Sequence, residues 1–259
     1  MKTLFAAALA LGLTSVAALA QDVLILGEVH DNPAHHEAQA DMVAAFAPRA
    51  LVFEMLTPEQ ADAVTQDNRR DRAALAEALD WEASGWPDFG YYHPIFTAAP
   101  EARIFGAQVP REAARKVFED GPGAVFSGDA AAYGLTDPLP KEEQATREAM
   151  QMEAHCDALP EAVLPGMVAV QRLRDAELAL GVMRAIEATG GPVAVITGNG
   201  HARRDWGVPS YLARVAPGLE VRVIGQTEDG RALDGGFDEV LSSPMVERED
   251  PCAAFAKGG

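Results

Sequence analysis

Apolar residues gather in this chain into short runs, each closed by glycine, proline or a polar residue. The runs are Val23–Gly27 (VLILG), Ala50–Leu56 (ALVFEML), Ile104–Gln108 (IFGAQ), Val193–Thr197 (VAVIT) and Glu220–Gly225 (EVRVIG). Short apolar runs with such boundaries read as buried strands. Between the first two, Asn32-Pro33 presents a helix N-cap followed by proline at the first helical position. The pattern predicts a helix to about Phe46, ending before Pro48, with Met42, Val43 and Phe46 on its buried stripe. Thr57-Pro58-Glu59-Gln60 repeats the cap-then-proline signal after the second run. Two β-then-α units in succession predict a mainly parallel sheet with helices on its faces.

Further along, Asp71–Asp80 (DRAALAEALD) reads as a helix. Trp81–Phe96 (WEASGWPDFGYYHPIF) is broken by glycine and proline and reads as an aromatic loop. Pro110 opens a helix through about Phe118. Residues 121–140 are rich in Gly, Ala and Pro and read as a loop. Lys141–Ala154 is helical, Pro160 and Pro165 mark a turn, and Met167–Ala188 is a long helix. The span of about 121–190 is therefore a predicted helical insert. From Phe237 onward the chain is polar and turn-rich, and weak structure is expected there. The fold class is α/β, with residues 21–259 forming one domain.

Composition changes the picture in three ways. Residues 1–20 combine Lys2, an apolar run over Leu4–Leu13 and the small-x-small end Ala18-Leu19-Ala20. That is the pattern of a signal peptide, so a periplasmic or secreted location is expected, with no membrane span in the mature chain. No cysteine follows the cleavage point, so no lipid anchor is expected. The formal charge of −18 opposes phosphate backbones and anionic lipid surfaces, which disfavours nucleic acid as a partner. The two cysteines, Cys156 and Cys252, predict one disulfide in an oxidising compartment. The rival reading, His155-Cys156 as a ligand pair, suffers from adjacent-residue strain and the lack of any CxxC.

The ends of the runs carry the candidate chemistry. In open α/β sheets ligands bind beyond the carboxyl ends of the strands. Glu28, His30, Glu54, Gln108 and His201 all fall there. Glu28 and His30 lie two apart on an extended segment and so share a face. Two carboxylates and two imidazoles suit a divalent metal ion (Glu28, His30, Glu54 and His201) or an acid/base site. Arg111, Arg174, Arg203 and Arg204 are the candidates for holding a carboxylate-bearing ligand. His35 and His36 fall in the first turn of a helix, where neutral imidazole is favoured. Tyr91, Tyr92 and His93 supply groups able to ligate haem iron, although from the residues alone aromatic packing is the default reading.

The segments GEVHDN, FEM, WP…YYHPIF, HC…LP…QRLRDAELA and GNGHAR occur in this order over nearly the whole chain. Together they resemble the ChaN-like haem-binding uptake proteins of the Tiki superfamily, which also contains erythromycin-esterase-like and Tiki-type metalloprotease relatives. The resemblance implies a three-layer α/β/α core with a helical insert. It implies haem as cofactor, a role in iron uptake, and a haem-bridged homodimer. It places a tyrosine on haem iron, carried here onto Tyr92 with Tyr91 as the alternative. The enzymes of the superfamily place their acid and histidine groups at positions matching Glu28, His30, Glu54 and His201. A metal-dependent hydrolase of peptidase or esterase type is therefore the second expectation, and a protein-binding scaffold the third.

Overall fold

The computed structural model describes residues 21–250 and 252–253. The signal-peptide expectation concerns residues outside that range. The first half runs β1 (Val23–Glu28), α1 (Pro33–Phe46), β2 (Ala50–Phe53), α2 (Pro58–Asp62), α3 (Arg72–Ala78), α4 (Trp81–Ser84), α5 (Phe89–Ala98) and β3 (Arg103–Gly106). Then follow α6 (Arg111–Asp120), α7 (Pro122–Val125), α8 (Lys141–Ala154) and α9 (Leu164–Thr189). The chain continues through β4 (Val193–Gly198), α10 (Asn199–Ala202), α11 (Val208–Val215), β5 (Val221–Glu228) and β6 (Glu239–Ser243).

The six strands form one sheet in the order β3-β2-β4-β1-β5-β6. All five pairings are parallel. Alternation of side chains along each strand divides the core in two. Val23, Ile25, Val52 and Val195 face one way, against α6, α9 and α11. Leu24, Leu26, Leu51 and Ile196 face the other, against α1, α3 and α5. The result is the three-layer α/β/α architecture. No strand lies between residues 121 and 190. The last helix of that span, α9, nevertheless belongs to the core, because Leu173, Ala176 and Ala179 lie directly on the sheet.

The capping expectations for α1 and α2 hold in detail. Asn32 accepts from the Ala34 amide with Pro33 leading the helix. Thr57 and Gln60 form a reciprocal capping box.

Three local expectations are corrected. The aromatic stretch is not a loop: Phe89–Ala98 is helical, with Pro94 inside the helix. Asp88 caps its start, and burial of Phe89, Tyr92, Ile95 and Phe96 along one face outweighs the lost amide. Within the 121–140 loop, Pro122–Val125 forms one helical turn. The C-terminal region is not weakly structured throughout, because Glu239–Ser243 pairs with β5 as a sixth strand.

Among the described residues no helix is long and apolar enough to cross a membrane. The disulfide between Cys156 and Cys252 is present, which removes the His155-Cys156 ligand pair.

Candidate functional site

β4 lies between β1 and β2, and the connections from β1 and β4 leave on opposite faces of the sheet. Such a switch point opens a crevice at the carboxyl edge. A cavity of about 440 Å³ occupies it, lined by His30, Glu54, Trp86, Gln108, Arg111, Gln171, Arg174, Gly198 and His201 among others. The ends of β1 to β4 supply the floor, α9 one wall, and the turn after α4 another.

Glu28 sits just behind His30 and is only 2% exposed. Its Oε1 accepts from His30 Nδ1 at 2.7 Å and from the Tyr92 hydroxyl at 2.8 Å. Its Oε2 has no hydrogen-bond partner among the described residues and lies 3.5 Å from His36 Nδ1. His36 points its other nitrogen at the His30 carbonyl, 2.8 Å away, so Nε2 carries the proton. The Val29 amide donates to His35 Nδ1 at 2.9 Å, which fixes His35 as a neutral ring. Burial lowers the His35 pKa further.

Across the crevice, Glu54 Oε2 accepts from the Thr197 hydroxyl at 2.7 Å and the Gly198 amide at 2.8 Å. Burial would raise this carboxyl. The positive His201 and His30 and the two hydrogen bonds outweigh burial and hold it at about 2. His201 Nε2 lies 3.5 Å from Glu54 Oε1, and its Nδ1 lies 2.6 Å from Asp175 Oδ1. Burial opposes protonation of His201, but the two carboxylates raise its pKa. Asp175, on α9, is buried, which raises its own pKa; Arg147 lies 3.6 Å from its far oxygen. Glu54 and His201 thus form one side of the cavity, with Asp175 buried behind His201, and the three together can hold a proton there. Gly27 makes the packing beneath it feasible: a Cβ at that position would fall 2.5 Å from the Asn199 side-chain oxygen, which pairs with the Gln226 amide.

Of the strand-end residues, His30, Glu54, Gln108 and His201 line one cavity together with Arg111 and Arg174, while Glu28 is enclosed behind His30 and does not reach it. Among the described residues neither of these arginines makes an ion pair. The structure does not bring Arg203 and Arg204 into the cavity. Arg203 is held by Asp205 and stacks on Trp206, 3.8 Å from the ring centre, and Arg204 pairs with Asp238. Tyr92 is fully buried and spends its hydroxyl on Glu28, and burial raises its pKa well above the ordinary tyrosine value. Tyr91 is half-buried and stacks on His36, while His93 Nε2 lies 3.1 Å from the Arg69 carbonyl.

The metal expectation is not supported. Among the described residues no group of three or more His, Cys, Asp or Glu side chains is arranged to hold a metal ion. The oxygens of Glu28 and Glu54 that face their neighbours already accept hydrogen bonds, and His201 Nδ1 is committed to Asp175.

Sequence reasoning missed Asp175, Arg147 and Trp86. A signal existed for Asp175, which lies at the spacing of the buried α9 stripe Val168, Ala179 and Val182.

These observations define an α/β/α protein with a polar, histidine- and arginine-lined crevice at its topological switch point. The chain belongs to the haem-binding uptake family of the Tiki superfamily, ChaN, whose model matches residues 16–212. Among solved structures it resembles ChaN of Campylobacter jejuni, described for cofacial haem binding. The two share 18% identity at a TM-score of 0.61, over 80% of this chain and 82% of that one. A weaker likeness is to the type III effector HopBA1, with 12% identity, a TM-score of 0.46 and coverage of 86% and 88%. No curated protein matches the chain.

Proposed function

We propose that this chain binds haem in the switch-point cavity and serves haem and iron uptake outside the cytoplasm, with residues 1–20 as an export signal. The observation that carries the reading, beside family membership, is the pairing of Arg111 and Arg174. They are two cationic groups at one cavity, without ion pairs among the described residues, in a chain of formal charge −18. Haem, when bound, supplies a flat apolar ring, an iron that accepts an axial ligand, and two carboxylates. Arg111 and Arg174, which line the cavity, would hold those carboxylates. Trp86 and Leu178 offer apolar surface to the ring. Tyr92 does not fit the role of iron ligand, because its hydroxyl is enclosed. The proposal includes pairing of two copies in the haem-loaded form.

Titration of residues 21–259 with haemin tests it by absorbance. A saturable Soret shift is expected, with affinity reduced at least tenfold in the Arg111→Ala/Arg174→Ala double variant. A wild-type protein without a saturable shift, or a double variant of unchanged affinity, removes the reading. Light scattering with and without haemin tests the pairing, and N-terminal sequencing of protein from an extracytoplasmic fraction tests the export signal.

A further inference from the structure

A second cavity, of about 300 Å³, lies between α8, α9, α11 and the loop that precedes α8. It shares no lining residue with the switch-point cavity. Three arginines line it, Arg147, Arg172 and Arg214, beside Trp206 and Tyr211.

The arginines are not equivalent. Arg147 has Glu143 at 3.3 Å and Asp175 at 3.6 Å, so its charge is answered. Arg172 is buried, and its Nη2 donates to the carbonyls of Gly134 at 2.7 Å and Asp137 at 3.0 Å. Carbonyls satisfy N–H groups without cancelling a charge. Arg172 makes no ion pair among the described residues, and its Nη1 makes no hydrogen bond among them. Arg214, exposed in the last turn of α11, also has no ion pair among the described residues.

These two unanswered guanidinium groups meet at one residue. Gly134 gives its carbonyl to Arg172, and a Cβ on Gly134 would fall 2.7 Å from Arg214 Cζ. Arg214 therefore lies directly over Gly134. Two like charges at one residue repel, and burial of Arg172 reduces the screening by water. Three carboxylates line the same cavity. Asp205 is taken by Arg203 through both oxygens, and Glu143 lies against Arg147. That leaves exposed Asp137 against two guanidinium groups, a net positive spot in a chain of formal charge −18. Tyr211 adds a donor. Burial foremost, with Asp175 nearby, pushes its pKa up to about 12 against the pull of Arg172, so its hydroxyl keeps its proton.

We infer that this cavity is a second binding site, for a small carboxylate carried on an aromatic ring. The guanidinium groups and the Tyr211 hydroxyl hold the carboxylate through N–H and O–H donors. The rings of Trp206 and Tyr211, with Pro138 and Leu139, offer apolar surface to a flat body. Inorganic phosphate matches the charge and leaves that surface unused. The inference stands apart from the haem reading.

Calorimetric titration of the full chain with sodium benzoate, and separately with inorganic phosphate, tests it. Saturable benzoate binding is expected, with phosphate at least tenfold weaker. Tryptophans report where benzoate binds, because Trp206 lines this cavity and Trp86 the first. In ¹⁵N-resolved NMR spectra the Trp206 indole signal is expected to move on titration and the Trp86 signal to stay. Arg172→Met and Arg214→Glu are each expected to weaken benzoate binding roughly tenfold or more. Absence of saturable benzoate binding overturns the inference, as does a shift confined to Trp86. Unchanged affinity in Arg214→Glu, an exposed substitution, overturns it even if Arg172→Met fails to fold. Phosphate binding as tight as benzoate overturns the aromatic part of the assignment.

Discussion

Tyr92 donates its hydroxyl to a buried carboxylate whose other bond is from His30 and whose Oε2 has no hydrogen-bond partner among the described residues. Tyr92→Phe is therefore expected to cost about 1–3 kcal/mol of stability, measured by urea denaturation. Glu54 and His201 make a second prediction. The Glu54 carboxyl is depressed from 4.5 to about 2, so its contribution is present above 4.5 and is lost as pH falls toward 2. The His201 pKa is raised above 6.5, so its contribution is complete below 6.5 and is lost as pH rises through the raised value. The two overlap between pH 4.5 and 6.5. The stability difference between wild type and His201→Gln should be largest in that window and shrink on both sides, in denaturation series across pH. At this scale the strand-end residues were legible, because a polar side chain ending an apolar run has few structural reasons to be there. Tyr92 was misplaced because YYHPIF gives no sign of which tyrosine faces inward until the helix is known. Arg147 looks like an ordinary charge on a helix, and Asp175 differs from one only in its spacing with the buried α9 residues Val168, Ala179 and Val182.

Helix caps and strand centres were legible because their signals are local. Asn32 shows how a local device acquires long-range duties. It caps α1 through its oxygen, and its amide nitrogen donates to Glu228, Ser243 and the Pro244 carbonyl. Asn32→Ala should therefore exceed the roughly 1 kcal/mol typical of a lost N-cap. Thermal or urea unfolding beside Thr57→Ala, which removes a cap without such cross-links, gives the comparison. α5 and β6 were not legible for opposite reasons. In α5 a proline that locally forbids helix is overruled by the burial of four side chains. In β6 a polar, partly exposed segment becomes a strand only because β5 offers it an open edge.

For the molecule as a whole, the α/β/α layering followed from the alternation of strand and helix signals. The strand order did not, since nothing local specifies that β4 inserts between β1 and β2. The C-terminal tail is fastened twice. Arg248 reaches both Asp31 and Glu228, and Cys252 bonds Cys156 across 96 residues. A native disulfide typically contributes about 2–4 kcal/mol. Reduction should lower the melting temperature by roughly 5–15 °C, read from thermal scans with and without reductant.

The late arrival of β4 also governs how the chain must come together during synthesis. Among the described residues β1 pairs with β4 and β5, and β2 with β3 and β4. Until residue 198 has left the ribosome, the first strand has no neighbour and the second and third form an isolated two-stranded ribbon. A fragment ending near residue 190 should therefore stay open and sensitive to protease. Adding back residues 191–259 as a separate peptide should restore resistance only by threading a strand into the centre of the sheet. The nascent chain is thus expected to stay uncompacted for about three-quarters of its length, because the centre of the sheet arrives last.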